Sequence, residues 1–202
     1  MGRVTTSARE RILDAAVRRI AREGIDDARI ARIATDAGVS SATVHYHFAS
    51  REALLSEALE HSYERAGDMR MLTGDDAPAT ATARLRLMVD QCLPAPGSLR
   101  DDFILWVELW LRAARHPDLQ ATSAQLYERM RQWFGEVLAE GAASGEFASP
   151  DLDRAPDRIL ALCDGYGIRV LCEDPAMPRE RAREEVWAAV AQLLGIDPAD
   201  AG

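Results

Sequence analysis

Apolar residues recur at intervals of three and four positions along almost the whole chain, which places them on one face of an α-helix. Runs of alternating polarity rich in Val, Ile and Thr, which are typical of half-buried strands, do not occur. The pattern therefore predicts an all-α protein. The expected helices lie near residues 8–23, 28–36, 40–48, 51–71, 79–93, 99–115, 118–142, 153–172 and 178–194.

Local capping signals support several of these boundaries. Ser7 is followed three residues later by Glu10, which is the pattern of a capping box, and Gly24 is placed to end the same helix. Ser50 precedes the fourth helix and is a favourable N-cap residue. Two breaks in the pattern contain Gly and Pro, at residues 73–78 and 94–97.

Residues 30–48, with the sequence IARIATDAGVSSATVHYHF, have the spacing of two short helices joined by a tight turn. Ala34 is small enough to let the first of these helices approach its neighbour, and Gly38 can adopt the left-handed conformation that the turn needs. Val39 and Val44 supply apolar side chains for the buried corner. The segment therefore predicts a helix-turn-helix.

The second helix of this motif, which Ser40 is placed to cap, presents a narrow polar face. At about 100° per residue, Ser41, Ala42, His45 and Tyr46 share the exposed side. Side chains of this kind suit a helix that enters the major groove of DNA. The spacing alone also occurs in helical hairpins that bind no DNA.

Five groups of residues in and after the motif form a characteristic run. They are Ile33-Ala34, Ala37-Gly38-Val39-Ser40, Thr43-Val44, Tyr46-His47-Phe48 and Ser50-Arg51. In this run the chain resembles the TetR family of one-component transcriptional regulators. The resemblance covers roughly residues 8–56, and beyond it the chain agrees with the family in length and helical layout.

The resemblance implies two functional parts. An N-terminal three-helix helix-turn-helix DNA-binding domain would be joined to a C-terminal helical ligand-binding and dimerisation domain. We place the boundary between residues 1–52 and residues 53–202, which are called the head and the body below.

The resemblance also assigns DNA contacts. It implies contacts with base edges or sugars by Ser41, Ala42 and His45, and contacts with phosphates by Ser40, Thr43, Tyr46 and Arg51. His47 lies nearer the inner side of its helix, so we expect it to be packed or to touch a phosphate. His45 stands where the family commonly has Tyr, Ala42 where it often has Gly, and Arg51 where Lys is usual.

The body carries many large aromatic and sulfur-containing side chains. An ordinary helical core would use them, because bulky residues fill space and Met adapts to irregular gaps. A mostly apolar ligand pocket would use them too, and the resemblance favours that interpretation. Glu108 shares the polar side of its helix with Arg112, its expected ion-pair partner. The candidate ligand-binding residues are Met88, Cys92, Phe103, Trp106, Trp110, Tyr127, Met130, Cys163 and Tyr166.

The last two predicted helices are amphipathic, and their apolar sides need cover. In TetR-like proteins the corresponding helices pair with their symmetry mates, so the resemblance implies a homodimer, and a two-fold dimer suits a palindromic operator. Gly165 and Gly167 would permit close approach of another helix. The candidate interface residues are Ile159, Tyr166, Val170, Val186, Trp187, Val190 and Leu194.

The net charge of −9 disfavours a nucleic-acid partner at first sight, but the charge is unevenly distributed. Residues 1–52 hold nine Arg and seven Asp plus Glu, so they carry +2 and leave −11 for the rest of the chain. All 24 basic residues are Arg. Phosphate contacts must therefore come from guanidinium groups, helix N-termini or uncharged donors.

Several other kinds of protein and site are disfavoured. The longest segment without Asp, Glu, Arg or Lys, residues 37–50, has fourteen residues, too few for a membrane span, and the N-terminus lacks an apolar signal-peptide core. Three cysteines cannot all pair within the chain, so we expect a reducing cytoplasm. His45 and His47 would point about 200° apart and could not chelate one metal ion. We expect no metal and no cofactor.

The sequence thus predicts a transcriptional repressor that an unknown small-molecule inducer releases from DNA. Its expected partners are a palindromic double-stranded operator, the inducer and a second copy of the chain, with no membrane. An enzyme is the main rival, although no nucleophile elbow, phosphate loop or Cys-His pairing supports it. A helical sensor or adaptor without specific DNA binding is a third possibility.

Overall fold

The computed structural model describes residues 7–70, 78–115, 117–148 and 151–196. These residues form nine α-helices and one 3₁₀ turn, with no strand among them, so the predicted all-α fold is confirmed. The helices are α1 (Ala8–Glu23), α2 (Ile30–Ala37), α3 (Ser41–His47), α4 (Arg51–Arg70), α5 (Ala81–Gln91), α6 (Ser98–Ala113), α7 (Pro117–Ser144), α8 (Ala155–Leu171) and α9 (Arg179–Leu194), with the 3₁₀ turn at Leu152–Arg154.

The predicted caps close the helices of the head. The Ser7 hydroxyl accepts a hydrogen bond from the Glu10 N–H at 3.1 Å, and the Glu10 carboxylate accepts one from the Ser7 N–H at 2.7 Å, which completes the capping box. Gly38 ends α2 with φ 66°, in the left-handed region that glycine tolerates best. The Ser50 hydroxyl caps α4 by accepting from the Ala53 N–H at 3.0 Å.

Helix α1 lies at the centre of the head and packs against α2, α4 and α6. Its apolar side chains Ile12, Ala16 and Ile20 are fully buried. Val44 from α3 and Phe48 directly after it join the same core. Because α1 contacts α6, the core of the head continues into the body.

In the body, α7 packs against α5, α6 and α8, and α8 pairs with α9. The break expected at residues 94–97 separates α5 from α6. The break expected at residues 73–78 lies outside the described residues up to position 77.

Gly167 on α8 lies directly against the Phe103 ring of α6. A Cβ atom at this position would stand 2.4 Å from Cζ of Phe103, so no larger residue fits without displacing that ring. The expected role of Gly167 is confirmed. Gly165, by contrast, faces outward, and its Cβ position has no described atom within 4 Å.

Candidate nucleic-acid interface and candidate ligand cavity

Helix α3 presents the expected polar face. Ser40 caps the helix by accepting a hydrogen bond from the Thr43 N–H at 3.0 Å, while Val44 points into the core. The side chains on the opposite side are exposed, and that of Tyr46 is 85% exposed. We call this surface the α3 face. It consists of Ser41, Ala42, His45 and Tyr46.

Three residues border the α3 face. The hydroxyls of Ser40 and Thr43 lie 2.9 Å apart at the N-terminal end of the helix, where hydroxyl donors can reach a phosphate. His47 is half-buried, and its ring meets that of Tyr46 edge to face, with 5.2 Å between the centroids. This packing agrees with the first of the two roles expected for His47, that of a packed side chain.

Arg51 has a different position from the one expected. Its guanidinium donates hydrogen bonds to the backbone carbonyls of Ile25 and, at 3.0 Å, Asp26. These carbonyls belong to the turn between α1 and α2. In this conformation the guanidinium holds the turn against the start of α4, which is a different role from the phosphate contact that the resemblance implied.

A second arginine reaches the same turn from the body. Arg112 on α6 forms an ion pair with the Asp26 carboxylate, so Glu108 is not its partner as the helical spacing suggested. Glu108 lies next to the turn as well, with Oε1 3.7 Å from the Cβ position of Gly24. The α1–α2 turn is thus held by both the fourth and the sixth helix.

Arginines elsewhere in the head pair with nearby carboxylates. Arg19 donates to Asp36 and, at 2.7 Å, to Glu23, and Arg32 reaches Glu23 at 3.1 Å. The hydrogen bond from Arg19 is the main reason that the pKa of Glu23 is lowered. Arg9 pairs with Glu57 across α1 and α4. These pairs tie the helices together and neutralise much of the positive charge of the head.

A small cavity of about 20 Å³ lies among α4, α6, α7 and α8. Four of the predicted ligand-binding residues line it, namely Trp106, Trp110, Tyr127 and Met130. Three other residues line the cavity and were not predicted from the sequence. They are Tyr63, Leu126 and Asp164.

The remaining predicted ligand-binding residues do not line this cavity. Met88, Cys92 and Cys163 are buried in the main core. Phe103 packs against Trp106 and over Gly167. Tyr166 is half-buried and packs against both the main core and the cluster of Leu93, Met177 and Ala182. For these five residues the ordinary core interpretation applies.

Among the described residues that line the cavity, Asp164 is the one carboxylate. Its Oδ2 accepts a hydrogen bond from the Tyr127 hydroxyl at 2.7 Å. Burial raises the pKa of Asp164 to about 6, and the hydrogen bond from Tyr127 opposes this shift. Burial, together with Asp164, also raises the pKa of Tyr127. The Tyr127 ring stacks with that of Trp110, with 6.0 Å between the centroids.

Four of the predicted dimer-interface residues point into the core of their own chain. They are 0% exposed in the single chain and have no surface left to contact a partner, so the predicted interface is corrected at these positions. They hold the last two helices in the core instead. These residues are Ile159, Val186, Val190 and Leu194.

The other three predicted dimer residues also pack within the chain. Trp187 is 8% exposed, with the Arg86 guanidinium 5.5 Å from its ring centroid. Tyr166 and Val170 pack against the buried cluster of Leu93, Met177 and Ala182. The outward side of α8 carries a stripe of small and apolar residues. This stripe consists of Ala161, Gly165, Ile168 and Cys172.

Two further properties follow from the described residues. None of the helices in the described ranges is long and apolar enough to cross a membrane. Within those same ranges, no group of three or more His, Cys, Asp or Glu side chains is arranged to hold a metal ion.

A helix-turn-helix head with an exposed polar α3 face, continuous with a helical body that contains a small cavity lined by aromatic side chains, defines a DNA-binding transcriptional regulator. Residues 12–58 match the family model described as bacterial regulatory proteins, tetR family, and residues 81–195 match the BetI-type transcriptional repressor C-terminal model. The chain therefore belongs to the TetR family of transcriptional regulators and is not an enzyme.

Solved structures and a curated relative agree with this assignment. A putative regulator from Saccharomonospora viridis, solved in complex with choline, is 34% identical with a TM-score of 0.80, and the match covers 93% of this chain and 97% of that one. A putative TetR-family regulator from Rhodococcus sp. is 26% identical with a TM-score of 0.82, covering 93% and 98%. The HTH-type transcriptional regulator BetI of Brucella anthropi is 26% identical, covering 93% and 94%.

Proposed function

We propose that the protein is a cytoplasmic homodimeric repressor whose heads, residues 1–52, bind a palindromic operator. A small molecule bound in the body, residues 53–202, releases the operator. The observation that carries this proposal is the position of α6. This helix lines the cavity with Trp106 and Trp110 and, two residues further on, reaches the head through Arg112. A ligand that shifts α6 therefore also displaces the head.

The DNA contacts that we propose lie on and beside the α3 face. His45, Ser41 and Ala42 are exposed where a recognition helix meets base edges. Ser40, Thr43 and Tyr46 have hydroxyls suited to phosphate oxygens. Arg51 is omitted because its guanidinium is bound to the α1–α2 turn.

The cavity favours a small organic cation as the ligand. Aromatic rings from α4, α6 and α7 surround it, and the face of an aromatic ring attracts a cation by roughly 0.5–2 kcal/mol. Asp164 adds a carboxylate that would compensate the charge of the ligand. A quaternary ammonium ion uses both features, since its charge is spread over methyl groups that also pack against the rings.

The choline complex of the Saccharomonospora viridis relative supports this ligand class. At about 20 Å³ the cavity is far smaller than ligand sites of roughly 300 Å³ or more, so binding requires the surrounding helices to move apart. A ligand that favours the opened body over the closed one would shift the position of the heads. Release of the operator follows from this difference in affinity.

The proposed dimer uses the outward side of α8. Ala161 and Gly165 are small enough for a second helix to approach closely, and Ile168 is a large apolar side chain that is 37% exposed. Two copies joined through this surface would present two heads to successive major grooves. Each head would then read one half of a palindrome.

Fluorescence anisotropy with labelled DNA from the gene's own upstream region tests the proposal. We expect binding that resists competition by random DNA and weakens when choline chloride is added. Sodium chloride at the same ionic strength, and the neutral choline analogue 3,3-dimethylbutan-1-ol, serve as controls. The repressor proposal is wrong if random DNA competes as well as the upstream fragment. The ligand class is wrong if the neutral analogue acts as well as choline.

A further inference from the structure

A cleft of about 230 Å³ lies on the outer side of the cavity, between α4 and α7. Leu126 lines both the cleft and the cavity. The exposed carboxylates Glu60 and Glu128 lie on the cleft wall and would attract a cation from solution. Thr122, Gln125 and Arg129 complete the lining of this outer cleft.

Arg129 lies at the boundary between the outer cleft and the cavity. Its guanidinium carbon is 4.4 Å from the ring centroid of Tyr63, a buried member of the cavity wall. Trp133 stacks against the same ring, with centroids 4.5 Å apart and planes inclined by 18°. The Arg129 guanidinium thus occupies an aromatic surface of the kind that an organic cation would bind.

The charge of Arg129 is not neutralised by an ion pair in the part of the chain that the structure describes. The neighbouring Arg131, by contrast, binds Glu128 at 2.9 Å and Asp157 at 3.2 Å. A cation that passes from the outer cleft towards Asp164 would therefore meet the positive charge of Arg129, which no ion pair among the described residues neutralises. Two cations that approach one ring repel each other, so both cannot hold this position.

We propose that Arg129 is a gate and an internal competitor for the ligand. A small organic cation enters through the outer cleft, and the Arg129 guanidinium leaves Tyr63 as the cation reaches the cavity. Arg129 thereby sets how much ligand is needed to open the body. The inference rests on the proposed function, because it assumes that the cavity takes an organic cation.

Stopped-flow measurement of tryptophan fluorescence with choline chloride tests the gate in the full-length protein. Arg129→Gln and Arg129→Met keep a long side chain and remove the charge. Each should bind choline about three- to thirtyfold more tightly, which corresponds to the usual strength of a cation–π contact, with most of the gain in the association rate. Arg158→Gln, on α8 and paired with Asp151, is the matched control and should match the wild type.

The neutral analogue 3,3-dimethylbutan-1-ol separates a charge effect from a general loosening of the cavity. If Arg129 competes through its charge, its removal favours choline more than the analogue. Equal gains for both compounds, or no gain for choline in either variant, would overturn the gate. If neither the wild type nor the Arg129 variants bind choline, the proposed ligand class itself fails. A wild type that binds choline, with variants that bind no better, refutes the gate alone.

Discussion

The Arg112 guanidinium pairs with the Asp26 carboxylate and so joins the helix that lines the cavity to the turn between the first two helices of the head. Arg51 binds the backbone of the same turn from the start of α4. Helices α4 and α6 both line the cavity, through Tyr63 and through two tryptophans. The turn is therefore the point where movement of either helix reaches the DNA-binding motif.

Breaking the ion pair between Arg112 and Asp26 should reduce the effect of the ligand on operator affinity, with little loss of folding stability. The Asp26 side chain is 87% exposed, so Asp26→Asn or Arg112→Gln should cost about 0–1 kcal/mol of stability. The loss of operator affinity caused by choline, typically about 1–3 kcal/mol in allosteric proteins, should become smaller in both variants. Operator titrations with and without choline measure this difference.

The double variant with Asp26→Arg and Arg112→Asp reverses the ion pair and should restore part of the response to choline. A full response in the single variants would show that the pair does not transmit the effect of the ligand.

Arg51→Ala should destabilise the head without changing the salt dependence of DNA binding. The substitution removes the donor for two backbone carbonyls, which should cost about 1–2 kcal/mol. A phosphate contact would instead reduce the slope of log K against log salt by about one per head. Thermal unfolding and operator titrations at several salt concentrations distinguish the two roles. A reduced slope with normal stability would return Arg51 to the phosphate contacts.

Local sequence signals predicted the head well because its key residues act within one turn of the chain. The Ser7 capping box, the left-handed Gly38 and the Ser40 cap each depend on residues at most four positions apart. The position of Arg51 could not be predicted in this way, because its partners Ile25 and Asp26 lie 26 and 25 residues away.

In the body, even fewer of the contacts could be predicted from local sequence signals. Amphipathic spacing placed Trp106 and Met130 on inward faces, and both line the cavity. Met88 and Cys163 have the same spacing and lie in ordinary core, because the packing of separate helices decides where the space remains. Asp164 offered a usable signal, since it interrupts the apolar segment ILALC-D-GYG of α8.

The α3 face should determine which operator is chosen. Substitution of His45 or Ser41 should change the preference at one or two base pairs of each half-site by about 1–3 kcal/mol. Arg18→Ala, an exposed arginine on α1, is a control that should leave the preferred sequence unchanged. Selection from a randomised DNA library gives the preferred sequence of each variant. Recovery of the wild-type sequence with both His45 and Ser41 variants would remove them from the reading surface.

The outward side of α8 should form the dimer. Ile168→Glu would place a charge in a surface that the partner dehydrates, which should cost several kcal/mol of association. Leu111→Glu is the matched control, since Leu111 is also a large exposed apolar residue, on α6. Sedimentation should show monomers of the folded Ile168 variant and dimers of the Leu111 variant. The opposite result would place the interface elsewhere.

Choline affinity should depend on pH through Asp164. Burial raises the pKa of this carboxyl to about 6, so the carboxylate that attracts a cation is lost as the pH falls through this value. Choline keeps its charge at every pH, and its affinity should therefore be constant above pH 7 and fall roughly tenfold by pH 5. Calorimetric titration measures the affinity, and circular dichroism at each pH checks that the protein stays folded.

Two variants test whether Asp164 causes this pH dependence of choline affinity. Asp164→Asn should bind choline weakly at every pH and show no transition near pH 6. Tyr127→Phe removes the hydrogen bond that lowers the pKa of Asp164, so the pKa should rise further and the loss of affinity should begin at a higher pH. Since the Phe ring still stacks with Trp110, any general loss of affinity should be small. A transition that stays in place in Tyr127→Phe, or persists in Asp164→Asn, would show that another group controls the binding.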